Sequence, residues 1–303
     1  MESNYVLEAV NITKRFPGVL ANDAVCLNVH YGEVLGLIGE NGAGKSTLLK
    51  ILNGIYPAGT YEGTLLLEGR EIRPTSPLDA IEQGIGYVPQ EINVLKNFSV
   101  AENIYMSNLR LENLQTKKTG SKTPFVDFRR MYAACEELLR INQIDLDPKA
   151  DVLKLSVGQQ QMLMIARALA TEPRVLILDE PTTSLSSSDV ERLFQVVRSL
   201  KERGTSVIFV THKMEEILEL TDRVTILRAG QTITTVDKKD TDGAQLANLM
   251  IGHEMTVSAY KKVTEPGEDV LRLLHVDYQK DHKHSGLNNV SFSIGKGEIL
   301  GVA

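Results

Sequence analysis

GENGAGKST, residues 39–47, lies between the apolar run 34–38 and the amphipathic run 48–52. It fits G-x-x-x-x-G-K-[ST], a pattern that carries meaning when a strand precedes it and a helix follows it. Glycine reaches positive φ at little cost, so successive N–H groups can turn toward an anion at the positive end of the helix. The stretch predicts a phosphate-binding loop, in which the expected nucleotide-binding residues are Gly39, Glu40, Asn41, Gly42, Ala43, Gly44, Lys45, Ser46 and Thr47.

Two side chains of this loop supply its chemistry. Lys45 offers a mobile cation for the β- and γ-phosphates of a nucleotide, and the Ser46 hydroxyl is a natural Mg²⁺ ligand. The alternative is a glycine-rich turn with a surface lysine. The strand and helix expected on either side favour phosphate binding.

The composition is that of an ordinary α/β protein. The chain has 303 residues, enough for one large domain or two smaller ones, and its net charge of −6 argues against a nucleic acid partner. Its apolar runs stop far short of the ~18 residues that a membrane span needs. The first ten residues have no basic or apolar region, so no signal peptide is expected. Cys26 and Cys135 have no metal-ligand or C-x-x-C spacing, and we expect both to be small buried side chains.

A second apolar run, VLILDE at residues 175–180, ends in two acids. A continuous apolar run of this kind is typical of a strand buried on both faces. Two carboxylates at its end are costly unless a cation or water meets them. In P-loop enzymes the first acid, here Asp179, holds Mg²⁺ through water, and the second, here Glu180, is placed to polarise the attacking water.

Other patterns predict local structure. Residues 6–12, 26–30 and 64–67 alternate or run apolar with β-formers between glycines, which indicates an antiparallel layer beside the nucleotide core. Ser188 and Glu191 stand three apart, which predicts a capping box at the start of a helix.

Four further positions are ambiguous when each is taken alone. Phe16, in the expected loop between the first two strands, fits either an adenine stack or the core. Gln90 fits a metal or water contact or a solvated strand end. Ser156 and Gln159 form a capping pattern that fits an anion site or an ordinary helix start. His212 follows a strand at residues 207–210, where open α/β sheets bind ligands and where polar residues are also common.

In their order and spacing these motifs resemble an ATP-binding cassette domain, over residues 1 to about 255. The resemblance rests on Phe16, the loop at 39–47, Gln90, LSVGQ at 155–159, VLILDE at 175–180 and His212. It implies an α/β fold with a P-loop NTPase core of the cassette type. Such a fold has a mostly parallel sheet, an antiparallel β subdomain and a helical subdomain.

The resemblance also implies a role for each residue, with ATP and Mg²⁺ as cofactors. Phe16 would stack on adenine, Glu180 would be the general base, and His212 would contact the γ-phosphate. Gln90 would touch the metal and the water while sensing a permease. Ser46, Gln90 and Asp179 would hold the metal. The residues that would close over ATP bound to a partner cassette are Ser156, Gly158 and Gln159.

Two positions depart from the common cassette pattern. Val157 replaces the middle glycine of LSGGQ, and Ser186 stands where an aspartate is usual. Both departures resemble the branch of monosaccharide importers of the ribose, galactose and xylose type, as do SPLDAIEQGIGYVPQE (76–91), LSVGQQQM (155–162) and THKMEEI (211–217).

The chain also contains an internal repeat. VLRLLHVDY at 270–278 parallels VLEAVNIT at 6–13, and NNVSFSIGKGEILGVA at 288–303 parallels DAVCLNVHYGEVLGLI at 23–38. We therefore expect a first cassette at residues 1–255, a linker at 256–269, and at 270–303 the start of a second cassette, cut off before its own P-loop. Residues 270–303 would lack most of their packing partners and are predicted to be poorly ordered.

The resemblance implies an ATPase coupled to sugar transport. Its partners would be transmembrane permease subunits, a periplasmic or extracellular sugar-binding protein reached through them, and a second cassette on the same full-length chain or in a homodimer. It would act as a peripheral protein at the cytoplasmic face of the membrane. Two alternatives are a soluble cassette ATPase acting on ribosomes or DNA, and a P-loop GTPase or small-molecule kinase. The short linker and contiguous motifs disfavour the first, and the lack of N-K-x-D and the presence of LSVGQ disfavour the second.

Overall fold

The computed structural model describes residues 4–105, 115–116, 125–252, 267–279 and 286–301. Residues 1–254 and 255–303 form two compact units. Within the described ranges, no helix is both long enough and apolar enough to span a membrane.

The first unit alternates strands and helices. Its described strands are β1 (Tyr5–Phe16), β2 (Val19–His30), β3 (Val34–Ile38), β4 (Glu62–Leu67), β5 (Arg70–Ile72), β6 (Ile85–Val88), β7 (Gln115–Thr116), β8 (Phe125–Val126), β9 (Val175–Asp179), β10 (Ser206–Val210), β11 (Arg223–Arg228) and β12 (Gln231–Asp237). Its described helices are α1 (Lys45–Leu52), α2 (Pro77–Glu82), α3 (Val100–Tyr105), α4 (Phe128–Ile141), α5 (Val157–Leu169), α6 (Ser187–Glu202), α7 (Met214–Leu220) and α8 (Gly243–Ile251).

Two sheets organise this unit. The larger has the order β12-β11-β3-β10-β9-β6, in which all neighbours are parallel except the edge pair β11 and β12. The smaller is the expected antiparallel layer, in the order β2-β1-β4-β5. A mostly parallel sheet, an antiparallel layer, and the helices α4 and α5 that both pack against α3 confirm the predicted fold class.

The core lies on both faces of the parallel sheet. All five residues of β3 are buried, and its side chains alternate between two apolar clusters. Val34 and Ile38 join the cluster that contains α4, α5 and α6, whereas Leu35 and Leu37 join the cluster that contains α1 and the antiparallel layer. Successive side chains of a strand point to opposite faces, so burial on both faces explains the continuous apolar run.

Three local predictions differ from the structure. Phe16 is the last residue of β1, paired with Val19, because the first two strands extend beyond the predicted ranges and leave no long loop. Cys26 is exposed because its neighbours on β2, Val25 and Leu27, take the inward positions; Cys135 is buried as expected.

The third difference concerns the start of α6. Its N-cap is Ser186 rather than Ser188, and the Ser186 Oγ accepts from the backbone N–H of Asp189 at 3.3 Å. Ser186 has the same spacing to Asp189 as Ser188 has to Glu191, and it is the residue whose backbone is extended.

The second unit is an antiparallel hairpin of β13 (Asp269–Gln279) and β14 (Gly286–Gly295). Most of the predicted linker, residues 256–266, lies outside the described residues, and Asp269 already belongs to β13. The hairpin repeats the details of β1 and β2, bulges included. The matching pairs are Leu7↔Val29 with Leu271↔Ile294, Ile12↔Val25 with Val276↔Val290, and Lys14↔Asn22 with Tyr278↔Leu287. The matching positive-φ residues are Asn11 with His275 and Ala24 with Asn289.

Candidate nucleotide-binding site

The loop of residues 39–47 connects the buried strand β3 to α1, as the sequence predicts. Gly42 and Gly44 have φ of 83° and 98°, in the region that L side chains rarely adopt. Gly44 is the N-cap of α1 and offers no side-chain cap, so the N–H groups of the first turn are available to a ligand. A side chain at Gly39 would stand 2.3 Å from the carbonyl oxygen of Leu227. The loop therefore has the backbone geometry of a cradle, and the helix end that it leads to is suited to an anion.

Lys45 is nearly buried at 8% exposure, yet it keeps its cationic head inside the loop. Its Nζ donates to the Gly39 carbonyl at 2.6 Å and to the Glu40 carbonyl at 3.1 Å. Burial lowers the pKa of Lys45 below its ordinary value, and the charges of Glu180 and Asp179 oppose that shift. The ammonium is thus held beside the cradle by groups that a phosphate could replace.

Asp179 ends β9 and receives a hydrogen bond from a neighbouring strand. The Tyr87 hydroxyl on β6 donates to Asp179 Oδ2 at 2.9 Å. Burial raises the pKa of Asp179 above its ordinary value, and the neighbouring Glu180 charge adds to this shift. The Tyr87 bond and the charges of Lys45 and Lys50 oppose the shift only in part. Burial also raises the pKa of Tyr87, which keeps this phenol a donor. One carboxylate oxygen is therefore fixed by Tyr87, leaving the other for a further partner.

Glu180 follows Asp179 directly and is the centre of a polar cluster. Its Oε2 lies 3.2 Å from Gln90 Nε2, 3.3 Å from His212 Nδ1 and 3.3 Å from Thr183 Oγ1. The backbone of Glu180 has φ of 45°, and its N–H donates to the Val210 carbonyl on β10 at 2.9 Å. This left-handed residue turns the chain at the carboxyl end of the parallel sheet and aims the carboxylate between two strand ends.

The loop, the acids and Phe16 line one cavity of about 900 Å³. It is large enough for a nucleotide, since small-molecule sites span roughly 300–1,000 Å³. Met250 on α8 and three residues of β2 also line it. The cavity thus brings together the whole phosphate loop with the predicted residues Phe16, Gln90, Asp179, Glu180 and His212.

The donor set near the loop suits a hard cation. Within the described ranges, no group of three His, Cys, Asp or Glu side chains could hold a metal ion. Mg²⁺ in nucleotide sites uses one or two carboxylates together with substrate phosphates, so it does not need such a group. The exposed Ser46 hydroxyl, the Asp179 carboxylate and the Gln90 amide oxygen are all oxygen donors on this cavity. These residues fit Mg²⁺.

The LSVGQ segment forms the tip of α5, and the capping box is confirmed. The Ser156 N–H donates to Gln159 Oε1 at 3.0 Å, and the Gln159 N–H donates to Ser156 Oγ at 3.2 Å. At Gly158 a side chain would stand 2.4 Å from the Asp189 carboxyl carbon on α6. The described residues that line the cavity do not include Ser156, Gly158 or Gln159. The tip of α5 therefore does not contribute to the cavity formed by the phosphate loop of its own unit.

Sequence reasoning missed two side chains that touch the acids. Tyr87 lies in the GYVPQ stretch, but only the pairing of Val88 with Leu178 across β6 and β9 brings it to Asp179. Thr183 is the second residue, and its position three residues after Glu180 is a sequence signal that favours a turn contact. In the structure its Oγ1 donates to the Glu180 backbone carbonyl at 3.1 Å. A period-2 pattern gives the face of a side chain and leaves the order of strands open.

Solved structures share this fold. The cassette MJ1267 of an ABC transporter, in its ADP conformation, superposes with a TM-score of 0.67 at 26% identity, covering 83% of this chain and 100% of that one. The dimeric structure of the cassette MJ0796, in a post-hydrolysis state bound to ADP and Pi, has a TM-score of 0.61 at 27% identity, covering 77% of this chain and 98% of that one.

Curated relatives are longer than this chain. The xylose import ATP-binding protein XylG of Thermoanaerobacter pseudethanolicus is 40% identical over 99% of this chain and 58% of its own length. The galactose/methyl galactoside import ATP-binding protein MglA of Haemophilus influenzae is 40% identical over 100% of this chain and 57% of its own length. The XylG protein of Escherichia coli is 37% identical over 99% of this chain and 57% of its own length. The chain therefore spans somewhat more than half the length of these relatives.

The family model described as ABC transporter matches residues 23–183, from β2 to just past the two acids. This match covers the phosphate loop, Gln90, the tip of α5 and the Asp179–Glu180 pair. The chain belongs to the ABC transporter family of ATP-binding cassettes.

Proposed function

We propose that this chain binds and hydrolyses ATP to power the uptake of a monosaccharide, a pentose or a hexose, through a membrane permease. The observation that carries the proposal is the Glu180 carboxylate. It is contacted by Gln90, His212 and Thr183, and it opens on the same cavity as the phosphate loop. A preorganised carboxylate beside a phosphate cradle suits hydrolysis of a phosphoanhydride by water.

Each residue has a role in this proposal. The N–H groups of residues 39–47 and the Lys45 ammonium bind the β- and γ-phosphates, and Phe16 stacks on adenine. Glu180 accepts a proton from the attacking water and orients it, while Gln90 and His212 contact the water and the γ-phosphate. Positioning and charge stabilisation account for most of the catalysis, because phosphoryl transfer needs little covalent help from the protein.

Mg²⁺ would be held by Ser46, Asp179 and Gln90. When bound, it neutralises the charge that develops on the phosphate oxygens. Tyr87 orients the Asp179 carboxylate for this role by donating to its Oδ2.

A second cassette completes the site. Ser156, Gly158 and Gln159, away from the cavity of their own unit, would close over ATP bound to the partner cassette. The dimeric form described for MJ0796 supports pairing. The described residues of one chain form one such cavity, so a closed site would need a second copy of the chain to supply its α5 tip. ATPase activity should therefore rise more than linearly with protein concentration. Strict proportionality would argue against a required dimer.

The hairpin of β13 and β14 supports the proposed domain plan. Residues 1–255 would be the first cassette, 256–269 a linker and 270–303 the start of a second cassette. The second hairpin repeats the bulges and positive-φ positions of the first. It also repeats a side-chain bond, since Glu33 Oε2 accepts from His30 N at 2.6 Å and Glu298 Oε2 accepts from Gly295 N at 2.7 Å.

The substrate class rests on relatives named for xylose and galactose import. The partners would be permease subunits and, through them, an extracytoplasmic sugar-binding protein. The chain would be peripheral, at the cytoplasmic face of the membrane, where ATP is available.

The test is reconstitution of the complete reading frame with the products of neighbouring genes. ATP hydrolysis is followed while binding protein loaded with each of a panel of pentoses and hexoses is added. Stimulation by one sugar, abolished by Lys45→Met, would support importer function and name the substrate. A protein that fails to co-purify with a membrane partner and ignores every sugar would favour a soluble cassette ATPase instead.

A further inference from the structure

Behind Phe16 lies a group of side chains that we call the Phe16 support, made of Lys14 and Tyr56. The rings of Phe16 and Tyr56 have centroids 5.4 Å apart and planes inclined by 65°, an edge contact. Lys14 Nζ lies 5.2 Å from the Phe16 centroid and 4.9 Å from the Tyr56 centroid. Both distances are in the range of a cation–π contact, so the ammonium joins the two rings.

Lys14 is unusual for a lysine because its side chain is almost buried, at 7% exposure. Its Nζ donates at 2.5 Å to the Thr60 carbonyl, which is a neutral acceptor. Fixing a flexible lysine in this way costs side-chain entropy and desolvation of the charge. The two ring faces and the carbonyl dipole offset that cost, which makes Lys14 a rigid contact for Phe16.

The other half of the support belongs to the segment that follows α1. The Tyr56 N–H donates to the Lys50 carbonyl at 3.0 Å, and Lys50 Nζ lies 5.9 Å from the Tyr56 centroid. The turn that receives Lys14 is anchored as well, since Ala58 N donates to the Pro74 carbonyl at 2.9 Å. Tyr56 is therefore fixed to the helix that begins at the phosphate loop. The support links the ring at one end of the cavity to the phosphate cradle.

Phe16 is half-buried and lines the cavity, whereas Lys14 and Tyr56 are not among the described residues that line it. We propose that Lys14 and Tyr56 are positioning residues that hold the Phe16 ring for stacking on adenine. The inference rests on the proposed function, because it assigns Phe16 to the base of ATP. Lys14 and Tyr56 act through Phe16 and touch no substrate atom.

This role predicts an effect on the base that is separate from the effect on the phosphates. The measured quantity is the base increment, defined as the Kd for ribose 5′-triphosphate divided by the Kd for ATP. Both are measured by calorimetry on the 303-residue chain in EDTA, which withholds the divalent ion and suppresses hydrolysis. Stacking of one base on an aromatic side chain should give the wild type an increment on the order of tenfold. Phe16→Ala should reduce it to about one.

Tyr56→Ala and Lys14→Met should lower the base increment by about three- to tenfold, the size expected for loss of an aromatic or cation–π contact, and leave the Kd for ribose 5′-triphosphate unchanged. Tyr56→Phe keeps the ring and should retain the wild-type increment. Tyr61→Ala is the matched control, because Tyr61 lies in the same segment and packs on the same apolar cluster. It should leave the increment unchanged. The constant Kd for ribose 5′-triphosphate shows that each variant is folded at the phosphate loop.

A base increment that survives Tyr56→Ala and Lys14→Met, but is lost in Phe16→Ala, overturns the inference and leaves the proposed function intact. An equal fall in Tyr61→Ala also overturns it, since a loosened segment would then be the cause. Failure of the wild type to bind ATP, or an increment of one in the wild type, overturns the inference together with the adenine site on which it rests.

Discussion

Alanine at Gly44 should destabilise the chain several times more than alanine at Gly42, although both glycines belong to the phosphate loop. Both have positive φ, 98° and 83°, which costs an L residue about 1–2 kcal/mol. Alanine also restricts the unfolded chain, which returns about 0.4–1 kcal/mol. At Gly42 nothing lies within 4 Å of an added Cβ. The net cost of Gly42→Ala should therefore be about 1 kcal/mol.

At Gly44 the same methyl group meets other atoms. It would stand 2.5 Å from the Ala21 carbonyl oxygen and 2.6 Å from Asn22 Nδ2. Relieving such overpacking costs about 1–3 kcal/mol, because a backbone carbonyl cannot rotate away. The bond from Asn22 Nδ2 to the Gly44 carbonyl, at 3.2 Å, would also be disturbed, at about 1 kcal/mol. Gly44→Ala should lower the free energy of unfolding by about 3–5 kcal/mol in total.

The assay is urea unfolding followed by far-UV circular dichroism, since the chain has no tryptophan. Gly59→Ala is a second control, because Gly59 has φ of 90° and nothing within 4 Å of an added Cβ. It should resemble Gly42→Ala. Losses for Gly44→Ala and Gly42→Ala that agree within about 0.5 kcal/mol, the scatter of ordinary surface substitutions, would refute the contact argument.

Three other predictions concern the thiols, the core and the second hairpin. Burial raises the pKa of Cys135 to about 12, so at pH 8 an aromatic disulfide reagent should modify Cys26 quickly and Cys135 only after unfolding; two fast thiols would contradict this. Phe209 lies in the centre of the sheet, and Phe209→Ala should lower the free energy of unfolding in urea by about 3–5 kcal/mol. Leu153 is 59% exposed, and Leu153→Ala should lower it by less than about 0.5 kcal/mol. Similar losses for the two variants would contradict the core described. Backbone amides of β13 and β14 should exchange faster than those of β3, because Val270 is 65% exposed whereas all five residues of β3 are buried. Equal protection of the two sets of amides would count against this.

Much of the first unit could be predicted because its signals are local. The loop of residues 39–47 depends on glycines at fixed offsets, and the start of α5 depends on the spacing of Ser156 and Gln159. Such features need only the residues that form them, together with the periodicity of the flanking runs.

Contacts between segments that are distant in the chain could not be predicted from the sequence. The Tyr87–Asp179 bond requires β6 to lie beside β9, which no local pattern specifies. Cys26 is a different case, because the apolar alternation of Val25, Leu27 and Val29 already indicates an outward position for it, and the usual burial of cysteine leads to the wrong prediction. The Lys14–Tyr56 contact joins β1 to the segment after α1, and no pattern in either stretch of sequence indicates that the two pack together.

The most direct test of the central claim is ATP turnover by Glu180→Gln. The amide keeps the shape of the side chain but cannot accept the proton of the attacking water, so kcat should fall by roughly 10²–10⁴ while the Kd for ATP stays unchanged. Glu215→Gln, the same change on an exposed face of α7, should leave both values at wild-type levels. Unchanged turnover in Glu180→Gln would contradict the assignment of Glu180 as the base and with it the account of this cavity as a hydrolytic site.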